Sequence, residues 1–322
     1  MHKEMNDRTL QHPSGNRFMH FLYQRRIPRN WDLYLLLIPF LVYFFMFHYR
    51  PMYGVILAFK NFKPVMGITG SPWIDPLFKN FTRFFDSPYF GRLLSNTLSI
   101  SLLQLLFGFP LPILLAIMLN EMGNLRYKKV LQNITYAPYF LSTVVVVGLL
   151  RAFTSPSFGL VNVLIRNAGG TAINFMALPE WFLPLYIGSY VWQSAGWNSI
   201  IYIAALAGVD PQLIESAQID GANRLQRIWH INLPSIQPTI VILLILNVGQ
   251  IMNVGFEKAY LMQNDMNMAV SDIISVYSYK LGIQGMQYSF ATAIGLFNSA
   301  INCVLLVIVN TLSRRLSETS LW

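Results

Sequence analysis

The chain has 322 residues, 54% of them hydrophobic and only 11% charged, with a net charge of +9. Soluble domains carry about 25% charged residues. Here the deficit is concentrated in long apolar runs, which argues against a soluble enzyme and for a polytopic membrane protein. The basic residues mostly flank those runs, so the positive charge reads as contact with membrane lipid and as orientation signals, and no nucleic acid partner is implied.

In chain order, residues 1–30 form a basic, polar N-terminal segment with Arg17, Arg25, Arg26 and Arg29. No cleavage-site pattern follows the first apolar run, which reads as a retained anchor. Residues 31–322 are read as one transmembrane domain with six spans, at 33–49, 94–120, 134–150, 181–208, 236–256 and 290–312. Each is near the ~20 residues that carry an α-helix across ~30 Å of hydrocarbon. An all-α fold is expected, because backbone polar groups in lipid must be satisfied within their own segment. Gly108, Pro110 and Pro112 predict a kink in the second span. The loop 50–92 is rich in aromatics, Gly and Pro and suits short interfacial helices packed against the spans. With six spans, Arg126, Lys128, Lys129, Arg224, Arg227, Arg314 and Arg315 share one side with the N-terminal segment, which puts both termini in the cytoplasm. Cys303 lies in an apolar run and reads as a packing residue.

The segment 210–235 breaks this pattern. In hydrocarbon, Glu215, Asp220, Arg224 and Arg227 together would cost on the order of 10 kcal/mol, so it belongs in water. Asp210 is a favoured N-cap and Pro211 a favoured first helical residue. Leu213, Ile214 and Ala217 then share a helical face. Asp220 is expected to cap a second short helix after Gly221 turns the chain. That helix carries Ala222, Leu225, Ile228 and Trp229, with Arg224 and Arg227 on its other side and Pro234 and Pro238 as its stop. Such a knob suits a groove on a partner; an amphipathic loop resting on the membrane is the plainer alternative.

The run Glu215, Ser216, Ala217, Asp220, Gly221, Ala222, then Ile231, Leu233, Pro234 and Pro238, resembles the EAA signature of permease subunits of binding-protein-dependent ABC importers. Serine replaces the middle alanine, and Ile228 stands where sugar permeases often have phenylalanine. Tyr34-Leu-Leu-Leu-Ile-Pro39, Phe47-His-Tyr-Arg-Pro51-Met-Tyr-Gly54, Ser71-Pro-Trp73, Ser87-Pro-Tyr-Phe90, Phe107-Gly-Phe-Pro110 and Leu119-Asn-Glu121 are similar to the oligo- and polysaccharide branch, of which an alginate-oligosaccharide importer is one member. The resemblance implies a six-helix permease bundle in the bacterial inner membrane and a homologous second permease. It also implies two ATPase subunits on the coupling helices and an extracytoplasmic binding protein that delivers the sugar. ATP and Mg would then be bound by the ATPase partners, with Glu215, Ser216, Ala217, Asp220, Gly221, Ala222, Arg224, Leu233 and Pro234 as the coupling residues.

A sugar path needs polar groups inside the spans, facing the bundle interior. The fourth span offers Trp192, Gln193, Trp197 and Asn198, the fifth Asn247, Gln250 and Asn253, the sixth Asn298 and Asn302, and the second Asn96 and Gln104. Amides exchange hydrogen bonds with sugar hydroxyls, and tryptophan faces pack on sugar rings. Helix-to-helix hydrogen bonding is the plainer role for any one of them.

No G-x-x-x-x-G-K-[ST] loop is present, so ATP hydrolysis is assigned to separate subunits and the chain is read as non-catalytic. Five scattered histidines and no H-E-x-x-H give no expected metal site. Alternatives are a permease for another solute such as a monosaccharide, a membrane-embedded glycan enzyme, or an ion-driven carrier. Asp75 and Asp86 are not brought together by any pattern, and no inverted repeat or buried ionised pair supports the last two.

Overall fold

A computed structural model describes residues 31–317 and 320–321. The basic segment 1–30 lies outside the described residues. The chain divides into two compact units, 1–55 and 56–322. Among the described residues the structure is helical, with one isolated antiparallel bridge, Lys60 to Trp73, and no strand.

In the first unit, α1 (Trp31–Phe44) opens an apolar stretch, Leu33–Phe59, of 27 residues. Residues 33–53 are all exposed. A helix that is apolar on every face has the composition of one that crosses a membrane.

The second unit begins with short turns at 56–70 and α2 (Lys79–Phe85). They pack as expected: Asn80 Nδ2 donates to Ala58 O at 2.8 Å, and the Phe62 amide donates to Ser289 Oγ at 3.0 Å. The second span comprises α3 (Phe90–Gly108) and α4 (Pro110–Asn120), interrupted at Phe109. Pro110 and Pro112 fall in the first turn of α4, where no intrahelical N–H bond is needed.

The span expected at 134–150 is not one helix. Helix α5 (Leu125–Tyr136), a turn at 137–140 and α6 (Thr143–Thr154) are bent by 100° at the break. Pro138 cannot extend the helical ladder, and the Ser142 side chain caps α6 by accepting from the Val145 amide. Helix α7 (Leu160–Asn167) follows. The 29-residue α8 (Pro179–Ala207) is the hub: Phe182, Tyr186 and Ile187 pack with Ile100, Val147 and Val254, while Tyr202 and Leu206 pack with Ile113, Ala116 and Ile236.

Helices α9 (Pro211–Ile219), α10 (Arg224–Arg227) and α11 (Leu233–Val248) cover the coupling segment and fifth span. The fifth span ends at Val248, not at 256; Gly249–Gly255 is non-helical, and at Gly249 a side chain would strike Leu306. Short helices α12 (Phe256–Met262), α13 (Met268–Ser271) and α14 (Ile274–Tyr279) lead to the 30-residue α15 (Tyr288–Ser317). Four stretches are long and apolar enough to cross a membrane, and counting the bent pairs α5/α6 and α8/α9 as one span each gives six.

Candidate functional site: coupling segment and central cavity

Helix α9 starts where Asp210 Oδ1 accepts from the Gln212 amide at 2.9 Å. It ends at Asp220, still near helical at φ −71°, ψ 0°. Asp220 therefore closes the first helix and does not cap the second. Gly221 then turns the chain at φ +81°, a conformation that only glycine takes without strain. The cap of α10 is Asn223, whose extended backbone frees its side chain. Its Oδ1 accepts from the Gln226 amide at 2.9 Å, and Gln226 Oε1 accepts from the Asn223 amide at 2.7 Å.

Pro234 and Pro238 do not stop this helix. It continues from Arg224 to Val248 through a π-helical turn at Ile228–Asn232. The widened turn displaces the backbone partners, leaving Pro234 in the first turn of α11, where it is tolerated.

Arg227, expected on the outward face, turns inward. Its Nη2 lies 3.5 Å from Glu121 Oε2, and its Nη1 donates to Ala222 O at 3.1 Å. Asn232, 1% exposed, donates to the other Glu121 oxygen at 3.1 Å. The end of α4 is thereby fastened to the coupling segment. Sequence reasoning quoted Glu121 without foreseeing this role, because an (i, i+106) pairing leaves no periodic signal. Glu215, Ser216, Arg224 and Pro234 are exposed and Leu233 is half-buried. Ala217, Asp220, Gly221 and Ala222 edge a hollow of about 310 Å³, and Leu213, Ile219, Leu225 and Trp229 of the same segment are exposed.

A larger cavity, of about 680 Å³, lies among α3, α4, α8, α11 and α12. Gln193, Asn198, Asn247, Gln250 and Asn253 lie on its wall, as does Gln104. Some of their capacity is committed: Gln193 Nε2 donates to Leu141 O at 2.9 Å and Asn247 Nδ2 to Leu243 O at 2.7 Å. Both amide oxygens are left to accept from a guest. The other expected path residues lie off this wall. Asn302 is buried and accepts from the Met252 amide at 3.0 Å, while Asn298 donates to Asn253 Oδ1 at 3.0 Å. Asn96 donates to Ala269 O and Asp272 O. Trp197 stacks on Tyr139 at 4.6 Å, and Trp192 is 51% exposed.

The aromatic groups on the wall are Phe109, Tyr186, Tyr190, Tyr202 and Phe256. The i, i+4, i+7 spacing of Tyr186, Tyr190 and Gln193 was the available signal. Gly108 admits Tyr190, since a Cβ there would lie 2.7 Å from the ring. Glu257 and Lys258 of α12 were also missed, lying in a loop expected to follow the fifth span. Lys258 is 6% exposed, and its Nζ sits 5.4 Å from the Tyr186 ring centre with no hydrogen-bond partner. Burial pushes its pKa down to about 8. Among the described residues, no cluster of His, Cys, Asp and Glu is arranged to hold a metal ion.

Residues 108–318 match the family of binding-protein-dependent transport system inner membrane components. The chain is 44% identical over 290 residues to the polygalacturonan/rhamnogalacturonan transport system permease protein YteP of Bacillus subtilis (strain 168), covering 90% of each chain. It is 28% identical to the arabinooligosaccharides transport system permease protein AraP of the same organism, covering 88% of each. A crystal structure of a bacterial ABC transporter involved in the import of the acidic polysaccharide alginate contains a chain 45% identical, with a TM-score of 0.83 over 90% of this chain and 98% of that one. A second, of the alginate transporter in complex with its alginate pentasaccharide-bound periplasmic protein, gives 43% identity and a TM-score of 0.84. Helical bundle, EAA signature and these matches define an ABC importer permease. The chain belongs to the binding-protein-dependent transport system inner membrane component family, whose members are membrane permeases and not the catalytic subunits.

Proposed function

We propose that the chain forms half of the translocation path of an ATP-driven importer for an oligosaccharide, the other half coming from a homologous second permease. The observation that carries this reading is the central cavity, where amides from α3, α8 and α11 meet tyrosine faces. Amides supply both donors and acceptors for hydroxyls, and aromatic faces pack on the apolar face of a sugar ring. The polygalacturonan/rhamnogalacturonan and arabinooligosaccharides permeases named above support the substrate class. In this reading, two ATPase subunits that bind ATP and Mg grip segment 210–235, and an extracytoplasmic binding protein delivers the sugar at the opposite end. The protein then sits in the bacterial inner membrane with both termini in the cytoplasm, where Arg224 and the basic residues of 124–129 and 314–315 face anionic lipid.

The test is the assembled transporter in proteoliposomes. Replacing Asn247 and Gln250 together by leucine should lower oligosaccharide uptake by about ten-fold or more, as two lost polar contacts imply, with basal ATP hydrolysis and assembly retained. Unchanged uptake would remove the cavity from the path.

A further inference from the structure

The cavity contains one feature that a neutral sugar does not require. Among the described residues, its wall carries one cation, Lys258, and one carboxylate, Glu257. The two are not paired: among the described residues no carboxylate lies within ion-pair distance of Lys258, and its Nζ has no hydrogen-bond partner. Burying an ammonium without a partner is costly, so such a group marks either strain or a ligand yet to arrive. The ammonium lies over the face of Tyr186, whose hydroxyl is anchored on Gly255 O at 3.1 Å. The ring is thus fixed, and the four-carbon lysine stem has the rotatable bonds to turn its ammonium toward a guest.

We propose that Lys258 is a specificity residue of the cavity, leaving the Tyr186 face to pair with the carboxylate of an acidic, uronate-type oligosaccharide. Such a sugar offers three chemistries at once. Its hydroxyls match the amides of α8 and α11, its ring face matches the tyrosines, and its carboxylate supplies the missing counter-charge through a charge-assisted hydrogen bond. Glu257 opposes an anion, but it is exposed, and water screens it far more than the desolvated ammonium beside it. The inference rests on the reading of the cavity as a sugar path.

The test uses the complete transporter with its binding protein in proteoliposomes. The probes are a galacturonate tetramer and its methyl-esterified, uncharged form. Comparing variant with wild type for each probe cancels the binding protein's own preference. K258M should lower tetramer uptake by about ten-fold or more, the scale of one charge-assisted hydrogen bond. It should change uptake of the ester by less than about two-fold, and K258R should restore most tetramer uptake. Equal uptake of the tetramer by K258M and wild type, or an equal fall for both probes, overturns the assignment. Should K258M fail to assemble, K258Q is read by the same ratio. A wild type that moves neither probe, with no stimulation of ATP hydrolysis, sinks the sugar-path reading itself and this inference with it.

Discussion

Glu121 accepts from Asn232 and forms an ion pair with Arg227, both in the coupling segment, and the two charged partners are mostly shielded from water, with 14% and 20% of their side chains exposed. Removing one partner leaves the other charge without compensation. E121Q or R227M should therefore each destabilise the chain by about 1–3 kcal/mol, while the double variant should lose clearly less than the sum. Thermal unfolding of the purified complex measures the cycle, and strict additivity would show that the pair does not couple. Lys258, between the fifth and sixth spans, has the opposite character. Its pKa falls to about 8 from the usual 10.5, so between those values the unfolded chain binds more protons than the folded one. Stability should rise with pH across that window, by about 3 kcal/mol at most. A wild-type unfolding series from pH 8 to 10 should show a rise that K258M lacks.

Among the helices, the coupling segment depends on one backbone conformation. Gly221 sits at φ +81° with no atom within 4 Å of where a Cβ would stand. A side chain would thus meet no neighbour but would strain the backbone by about 1–2 kcal/mol. G221V should reduce sugar-stimulated ATP hydrolysis in the assembled complex while leaving membrane insertion intact; unchanged stimulation would detach this turn from coupling. The turn itself was legible in the sequence, as were the Asp210 cap and the break near Pro110. The identity of the second cap was not. Asp220 and Asn223 are both good cap residues, and only the geometry after Gly221 selects Asn223. The prolines misled for a related reason: a π-helical turn has no composition of its own, so Pro234 reads as a stop although the helix passes through it.

For the whole molecule, apolar run length located most of the membrane-capable helices because length and composition set that property directly. It failed at 134–150, where apolar residues on both sides of Pro138 and Ser142 masked a 100° bend. The cavity was legible only where polarity interrupts a span. Six of the eleven residues expected on the path line it, while Asn96, Asn298 and Asn302 hold helices or loops together and Trp197 stacks on Tyr139. The tyrosines and Lys258 escaped notice because a tyrosine in a span ordinarily reads as packing, and a loop lysine as solvated.

The unbroken helical rod from Arg224 to Val248 has a mechanical consequence. Its 25 residues make a strut of about 37 Å, with the cap Asn223 just before one end and Asn247 of the cavity wall at the other. A piston stroke delivered to the knob would reach the guest's amide contacts without gearing or delay. The second route, through Glu121 into α4, meets the discontinuity at Phe109, which would act as a knuckle and spare α3. One load would thus be split into a thrust and a flexion, reshaping two walls of the chamber differently.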